Sequence, residues 1–187
     1  MRWTGFVLGG IAAAVVGIAG WQIWEAEQLK NPKWIDTERA DCQTWDPYPQ
    51  RNESVTWTGA CRSGRADGEG TLTWSYTDRT GEAVSETASG RLVSGKWDGQ
   101  TTMILTGGDR FEGMYRDGMR NGQGVFTWSD GRYDGAWKND KQHGTGTYTD
   151  SEGTQHSGDW IEGCLEEDDN IIALGNEMEA CEELLEK

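Results

Sequence analysis

The sequence predicts an all-β domain of repeated hairpins, carried behind one N-terminal transmembrane helix. Three observations predict it. A pattern of glycines and aromatic residues recurs every 22 to 23 residues. An uncharged run of 18 residues lies close to the N-terminus. The composition has 11 tryptophans and 27 glycines but is only 35% hydrophobic, so a core would be rings packed over glycines and not aliphatic layers.

The N-terminal element comes first. Phe6 to Ile23 reads FVLGGIAAAVVGIAGWQI, long enough to cross a bilayer core as a helix. Trp3 precedes it, and Trp21 and Trp24 stand at its far end, where headgroup belts favour indoles. Arg2 on the short side places the N-terminus in the cytoplasm and exports the rest, although Lys30 and Lys33 on the other side oppose this. Gly17-Ile18-Ala19 also offers small residues for signal-peptide cleavage, and both readings export the C-terminal part. The length of the span favours an anchor over residues 1–24. Gly5, Gly9, Ala13 and Gly17 recur every fourth residue and form one bulk-free stripe, the kind of face on which two membrane helices approach closely.

A tether over residues 25–54 is expected next. It holds all three prolines, Pro32, Pro47 and Pro49, and ends by docking on the domain. The cysteines, Cys42, Cys61, Cys164 and Cys181, form two local sets on either side of the Gly-rich region. None is in a CxxC arrangement and there are two histidines, which argues against zinc. Four cysteines allow three connectivities; in an exported chain the pairing expected is Cys42 with Cys61 and Cys164 with Cys181.

The repeat occupies residues 55–163. From Arg110 the chain reads RFEGMYRDGMRNGQGVFTWSDG, and from Arg132 it reads RYDGAWKNDKQHGTGTYTDSEG. Gly113, Gly122 and Gly124 align with Gly135, Gly144 and Gly146; Tyr115 aligns with Trp137 and Phe126 with Tyr148. Gly158 and Trp160 continue the register forward, and Gly90, Gly95 and Gly99 continue it backward. Gly59, Gly64, Gly68 and Gly70 extend it further, across a hairpin-sized insertion within residues 75–88. Four repeats and a half result, and a period of this length means stacked supersecondary units. Phe111, Gly113 and Tyr115 alternate, as do Gly124, Phe126 and Trp128, so each unit is a β-hairpin.

These windows resemble MORN repeats, over about residues 55–163. Departures fall at Cys61, Ala88 and Leu92, which stand at aromatic positions, and at Thr101 and Asp140, which stand at glycine positions. The resemblance implies an elongated antiparallel β-meander, with rings of one hairpin lying over glycines of its neighbours. It implies a scaffold or adaptor with no common catalytic residue. The paired cysteines and the anchor resemble bacterial envelope forms, which places the domain in the periplasm on the inner membrane. In this register the two disulfides fasten caps at the solenoid ends, the second by folding residues 164–187 back as an acidic cap. A tail helix is expected from Asn176, with Glu179 closing a capping box and Ala180, Cys181, Leu184 and Leu185 facing inward.

His143 and His156 fit packing positions, and Glu166 to Asp169 lacks the spacing of a calcium loop. GxSxG, P-loop and HExxH patterns are absent from the sequence. Asn52-Glu53-Ser54 matches a glycosylation acceptor, of consequence only in a eukaryotic secretory setting. The net charge of -15 disfavours nucleic acid and anionic lipid headgroups. The expectation is therefore a non-catalytic accessory or scaffold subunit without cofactor or metal. Its helix would meet the bilayer and an integral membrane protein or multi-subunit complex. Exposed rings would form the interaction surface: Trp74, Tyr76, Phe111, Tyr115, Phe126, Trp128, Tyr133 and Trp137, together with the insertion after Trp74. A lipid- or glycan-binding module using the same rings is the alternative.

Overall fold

A computed structural model describes residues 32–78, 80–168 and 170–186. The proposed membrane helix and its Gly5–Gly17 stripe lie outside the described residues. Among the described residues no helix is long and apolar enough to cross a membrane.

The domain is one large antiparallel meander. Strands β5 (Arg65–Thr77), β6 (Ala83–Val93), β7 (Lys96–Ile104), β8 (Arg110–Arg116), β9 (Met119–Trp128), β10 (Gly131–Lys138), β11 (Lys141–Asp150) and β12 (Gln155–Trp160) follow one another in sheet order as in sequence. Alternation sorts their residues between two faces. Leu72, Ala88, Met103, Phe111, Phe126, Tyr133, Tyr148 and His156 form one cross-strand row on the core face. Beside it runs a second row of Gly70, Gly90, Thr101, Gly113, Gly124, Gly135, Gly146 and Gly158.

The GxG motif has two distinct jobs, seen best at Gly122 and Gly124. The register jumps between Gly113↔Gly124 and Tyr115↔Arg120, leaving a bulge on β9. Gly122 sits in that bulge at φ 117°, which a side chain would strain. Gly124 instead makes room for a ring: a Cβ there would sit 2.7 Å from the Phe111 Cζ atom. Rings can therefore lie flat on the sheet. They form an edge-to-face series, Tyr115–Phe111–Trp137–Tyr133–Trp160, with centroids 5.3 to 5.5 Å apart. A stacked series, Phe126–Trp128–Tyr148–His156, runs beside it at 5.2 to 5.9 Å. Such contacts add about 0.5–1.5 kcal/mol per pair beyond burial.

The turns at Ser63–Gly64, Ser94–Gly95, Asp117–Gly118, Asn139–Asp140 and Glu162–Gly163 keep both central residues at positive φ, as Asp117 (50°) and Gly118 (86°) show. This matches the twist of the flanking strands. Asp140, standing where the repeat has glycine, takes φ 69°; its Oδ1 accepts from the Arg120 backbone N–H at 2.8 Å and from Arg120 Nε at 3.1 Å.

The hairpin-sized insertion after Trp74 lengthens both arms of one hairpin, since β5 and β6 stay paired from Gly68↔Leu92 to Thr77↔Ala83. Expectations change at the two ends of the domain. Part of the expected tether is folded. β1 (Lys33–Asp36) and β2 (Gln43–Asp46) form a hairpin docked on β5 at Gln43↔Arg65, while β3 (Ser54–Trp57) and β4 (Ala60–Arg62) pair along β5. The tail forms a second hairpin, β13 (Cys164–Glu167) with β14 (Asn170–Ala173), before α1 (Met178–Leu185). No side chain caps α1 from the expected box: Asn176 turns its amide to the Glu162 carbonyl instead. Cys181 is buried on α1, Leu184 and Leu185 are half-buried, and Ala180 is exposed.

Both disulfides have the expected pairing, Cys42–Cys61 with Cα atoms 5.7 Å apart and Cys164–Cys181 at 5.5 Å. The first joins the β1–β2 hairpin to β4, and the second holds α1 against β13.

Candidate binding cleft

The eight rings expected to form an exposed surface do not. Phe111, Tyr115, Phe126, Tyr133 and Trp137 are buried, Tyr76 sits at the edge of burial, and Trp74 and Trp128 are half-buried. The reason is the glycine row, which lets each ring drop onto the sheet and be covered by its neighbours. A lipid or glycan platform of exposed rings is therefore missing from this face. Five of the eight nevertheless share one site, because Trp74, Tyr76, Phe111, Tyr115 and Phe126 line a cleft of about 120 Å³.

The cleft forms between the core face and a strap, the connection from β2 to β3. Pro47 and Pro49 keep the strap out of regular structure. Asp46 Oδ1 accepts the Tyr48 backbone N–H at 2.9 Å, and Glu53 Oε2 accepts that of Gln50 at 2.8 Å. Trp45 lies in β2 just before the strap, at the turn end of the sheet, its backbone N–H donating to the Gly95 carbonyl at 2.8 Å. Ser54 pairs with Ser75, which brings Glu53 beside Tyr76.

Asp46 and Glu53 close the base of the strap. Asp46 is buried and its Oδ2 has no hydrogen-bond partner among the described residues, while Glu53 forms an ion pair with Lys33. Burial pushes the Asp46 carboxyl up to about 7, and the charge of neighbouring Glu53 adds to the rise. A buried carboxyl beside a second carboxylate keeps its proton more readily than one in water. Glu53 in turn raises Lys33 above the usual lysine range.

The cleft has two chemically distinct ends. At the turn end Lys96 Nζ bonds Asp117 at 2.9 Å and lies 5.5 Å from the Trp45 ring. Arg120, 6% exposed, pairs with Asp140 and places its guanidinium 4.6 Å from the Trp137 ring centroid. At the other end stand Trp74, Tyr76, Leu105 and Glu86. Glu86 Oε1 accepts from the Tyr76 hydroxyl at 2.9 Å, Thr106 Oγ1 at 3.0 Å and the Thr106 backbone N–H at 3.3 Å. Glu86 Oε2 accepts no bond from the described residues, and no described cation pairs with this carboxylate. Burial and the Glu86 charge push the Tyr76 hydroxyl up to about 12.

Sequence reasoning missed Asp46, Glu53, Glu86 and Arg120. Arg120 and Asp140 carried a readable signal, since they lie 20 residues apart across adjacent turns of the repeat. The strap carboxyls and Glu86 carried none, because each lies outside the repeat's own pattern. Away from the cleft, His156 stacks on Tyr148 as a packing residue would, and its Nδ1 also meets Glu167 Oε2 at 2.8 Å. His143 Nδ1 is buried without a hydrogen-bond partner among the described residues. Glu166 to Asp168 lead into the β13–β14 turn, with Glu167 engaged by His156 and by the Ser157 backbone N–H.

The fold and the cleft together define a repeat-built β-meander with a recess under an added strap. The MORN repeat model matches residues 62–75, 111–131 and 133–155, so these three segments of the meander are similar to MORN repeats, a likeness that suggests a binding or scaffold module. The matches skip β6 and β7, where Ala88, Leu92 and Thr101 replace repeat residues, yet those strands continue the same sheet. No curated protein matches the chain.

Proposed function

We propose that this chain is a non-catalytic, membrane-anchored accessory or scaffold subunit, with its MORN-repeat domain exported to the bacterial periplasm. The observation that carries the reading is the pair of disulfides fastening both ends of a repeat sheet. Bonds of this kind persist in oxidising compartments. The uncharged run from Phe6 to Ile23 supports an anchor, and its small-residue stripe suits an integral membrane partner or complex. The acidic domain suits a basic partner surface.

Mild-detergent pulldown of the full chain, compared with a Gly9→Leu/Gly17→Leu variant, tests the anchor. The variant loses its membrane partner if the stripe packs against it. Recovery of the same partners by the variant would remove the helix from the interface.

A further inference from the structure

The geometry points to a specific occupant for the cleft: a basic side chain of the partner protein, arginine by preference. Its stem lies along Met103 and Leu105, and its guanidinium meets Glu86 Oε2 between Trp74 and Tyr76. The inference rests on the scaffold reading and names the chemistry of one contact.

Four observations lead to it. Glu86 is a half-buried carboxylate with one oxygen fully engaged and the other without a donor or cation among the described residues. Next to it are two rings, and ring faces attract cations most strongly when partly shielded from water. The domain already uses this arrangement on itself. Arg65 lies 3.8 Å from the Trp34 ring centroid, and Arg120 combines the Trp137 face with the Asp140 carboxylate. Glu86 with Trp74 and Tyr76 repeats the ring-and-carboxylate set of Arg120 without the cation.

Size and charge select a protein side chain. A volume of about 120 Å³ holds one long side chain and little more. The cleft opens to solvent, so the rest of such a ligand remains outside. A net charge of -15 draws basic surfaces to the domain. Arginine is favoured over lysine because its planar group stacks on rings and meets a carboxylate at the same time.

The test uses the full chain in detergent micelles with ¹⁵N-labelled tryptophan. The probe is N-acetyl-arginine N-methylamide, and the leucine and glutamate analogues are controls. The arginine probe should shift the Trp74 indole resonance saturably. Glu86→Gln should weaken it about fivefold, as expected for one partly shielded charge contact. Glu112→Gln, an exposed carboxylate site on the opposite face, should leave it unchanged. Leu105→Lys, which supplies a cation from within, should abolish it while far-UV circular dichroism stays that of the parent. Equal binding of the leucine probe would make the cleft a plain apolar recess and overturn the assignment. Equal weakening by Glu112→Gln would reduce the effect to net charge and also overturn it. If Glu86→Gln and Leu105→Lys both bind like the parent, the cleft assignment falls. The scaffold reading is then judged separately by the helix variants.

Discussion

The indole N–H of Trp137 donates to the carbonyl oxygen of Gly124 at 3.1 Å, and the bond is buried. Trp160 makes the same bond to Gly146 one repeat later, also at 3.1 Å. The glycine thus does two things: it admits the ring and offers its own carbonyl to it. A Cβ at Gly124 would lie 2.7 Å from Phe111 Cζ and 3.2 Å from Trp137 Cδ1. Gly124→Ala must displace both rings, and overpacking of this kind costs about 1–3 kcal/mol. Urea unfolding should show that loss together with a reduced near-UV circular dichroism signal. Gly153→Ala is the contrast. That glycine sits in an open turn at φ 86° with nothing near its Cβ position, so stability should fall while the near-UV signal persists.

The pH dependence of the strap follows from Asp46. Its carboxyl is raised to about 7 in the folded chain by burial and by Glu53. Below about 4 an ordinary aspartate is protonated whether folded or not, so it contributes no slope. Between about 4 and 7 the folded chain holds a proton that the unfolded chain releases. Stability from this group therefore falls as pH rises through that window and levels off above it. Asp46→Asn should flatten this part of the curve. The measurement is the urea midpoint of both proteins from pH 4 to pH 8. Parallel curves would show that Asp46 does not retain its proton in the folded chain.

What could be read in the sequence and what could not divide along the repeat. The hairpins, their order and the seating of rings on glycines follow from positions such as Gly113, Gly124 and Phe126, because packing there is between neighbours at a fixed offset. Burial of those rings was misread. A row of aromatics at period two reads as a surface unless the glycine row is seen as its floor. The strap and the β1–β2 hairpin were hidden for a different reason. Asp46 is charged and flanked by proline, which marks a loop, yet its partner Glu53 becomes visible only when the chain folds back. Glu86 lies on an arm lengthened beyond the repeat, so no offset points to it.

Loss of the first disulfide should free the strap locally. Cys42 and Cys61 are 19 residues apart, and closing a loop of that size contributes about 3 kcal/mol. The Cys42→Ala/Cys61→Ala variant should lose amide protection first at Gln43 and Trp45, whose N–H groups bond the Gly64 and Gly95 carbonyls at 3.0 and 2.8 Å. Protection at Tyr133 and Tyr148, far along the meander, should hold. Hydrogen exchange read by mass spectrometry separates local release from global unfolding. Uniform loss across both regions would show that the strap is integral to the whole sheet.

The C-terminal cap protects an edge. Among the described strands β12 pairs with β11 alone, and β13, in its own sheet with β14, packs close to it. Leu165 rests over Gly158, where a Cβ would come within 2.6 Å of its Cδ1 atom, and Glu167 Oε1 accepts the Ser157 N–H at 3.1 Å. The partners of Glu167, His156 first and then Ser157, hold its carboxyl below the usual range. The stability this adds is therefore present at neutral pH and lost as pH falls through that lowered value. A chain ending at Gly163 would leave the Ser157 N–H and the apolar face around Trp160 unprotected. Bare strand edges pair with other chains. Light scattering after size exclusion should show concentration-dependent association of the truncated chain. Cys164→Ser/Cys181→Ser, with the cap still present, should associate less at equal concentration. A truncated chain that stays as dispersed as the parent would mean that β12 needs no cover, and the cap would then have to be explained by something other than edge protection.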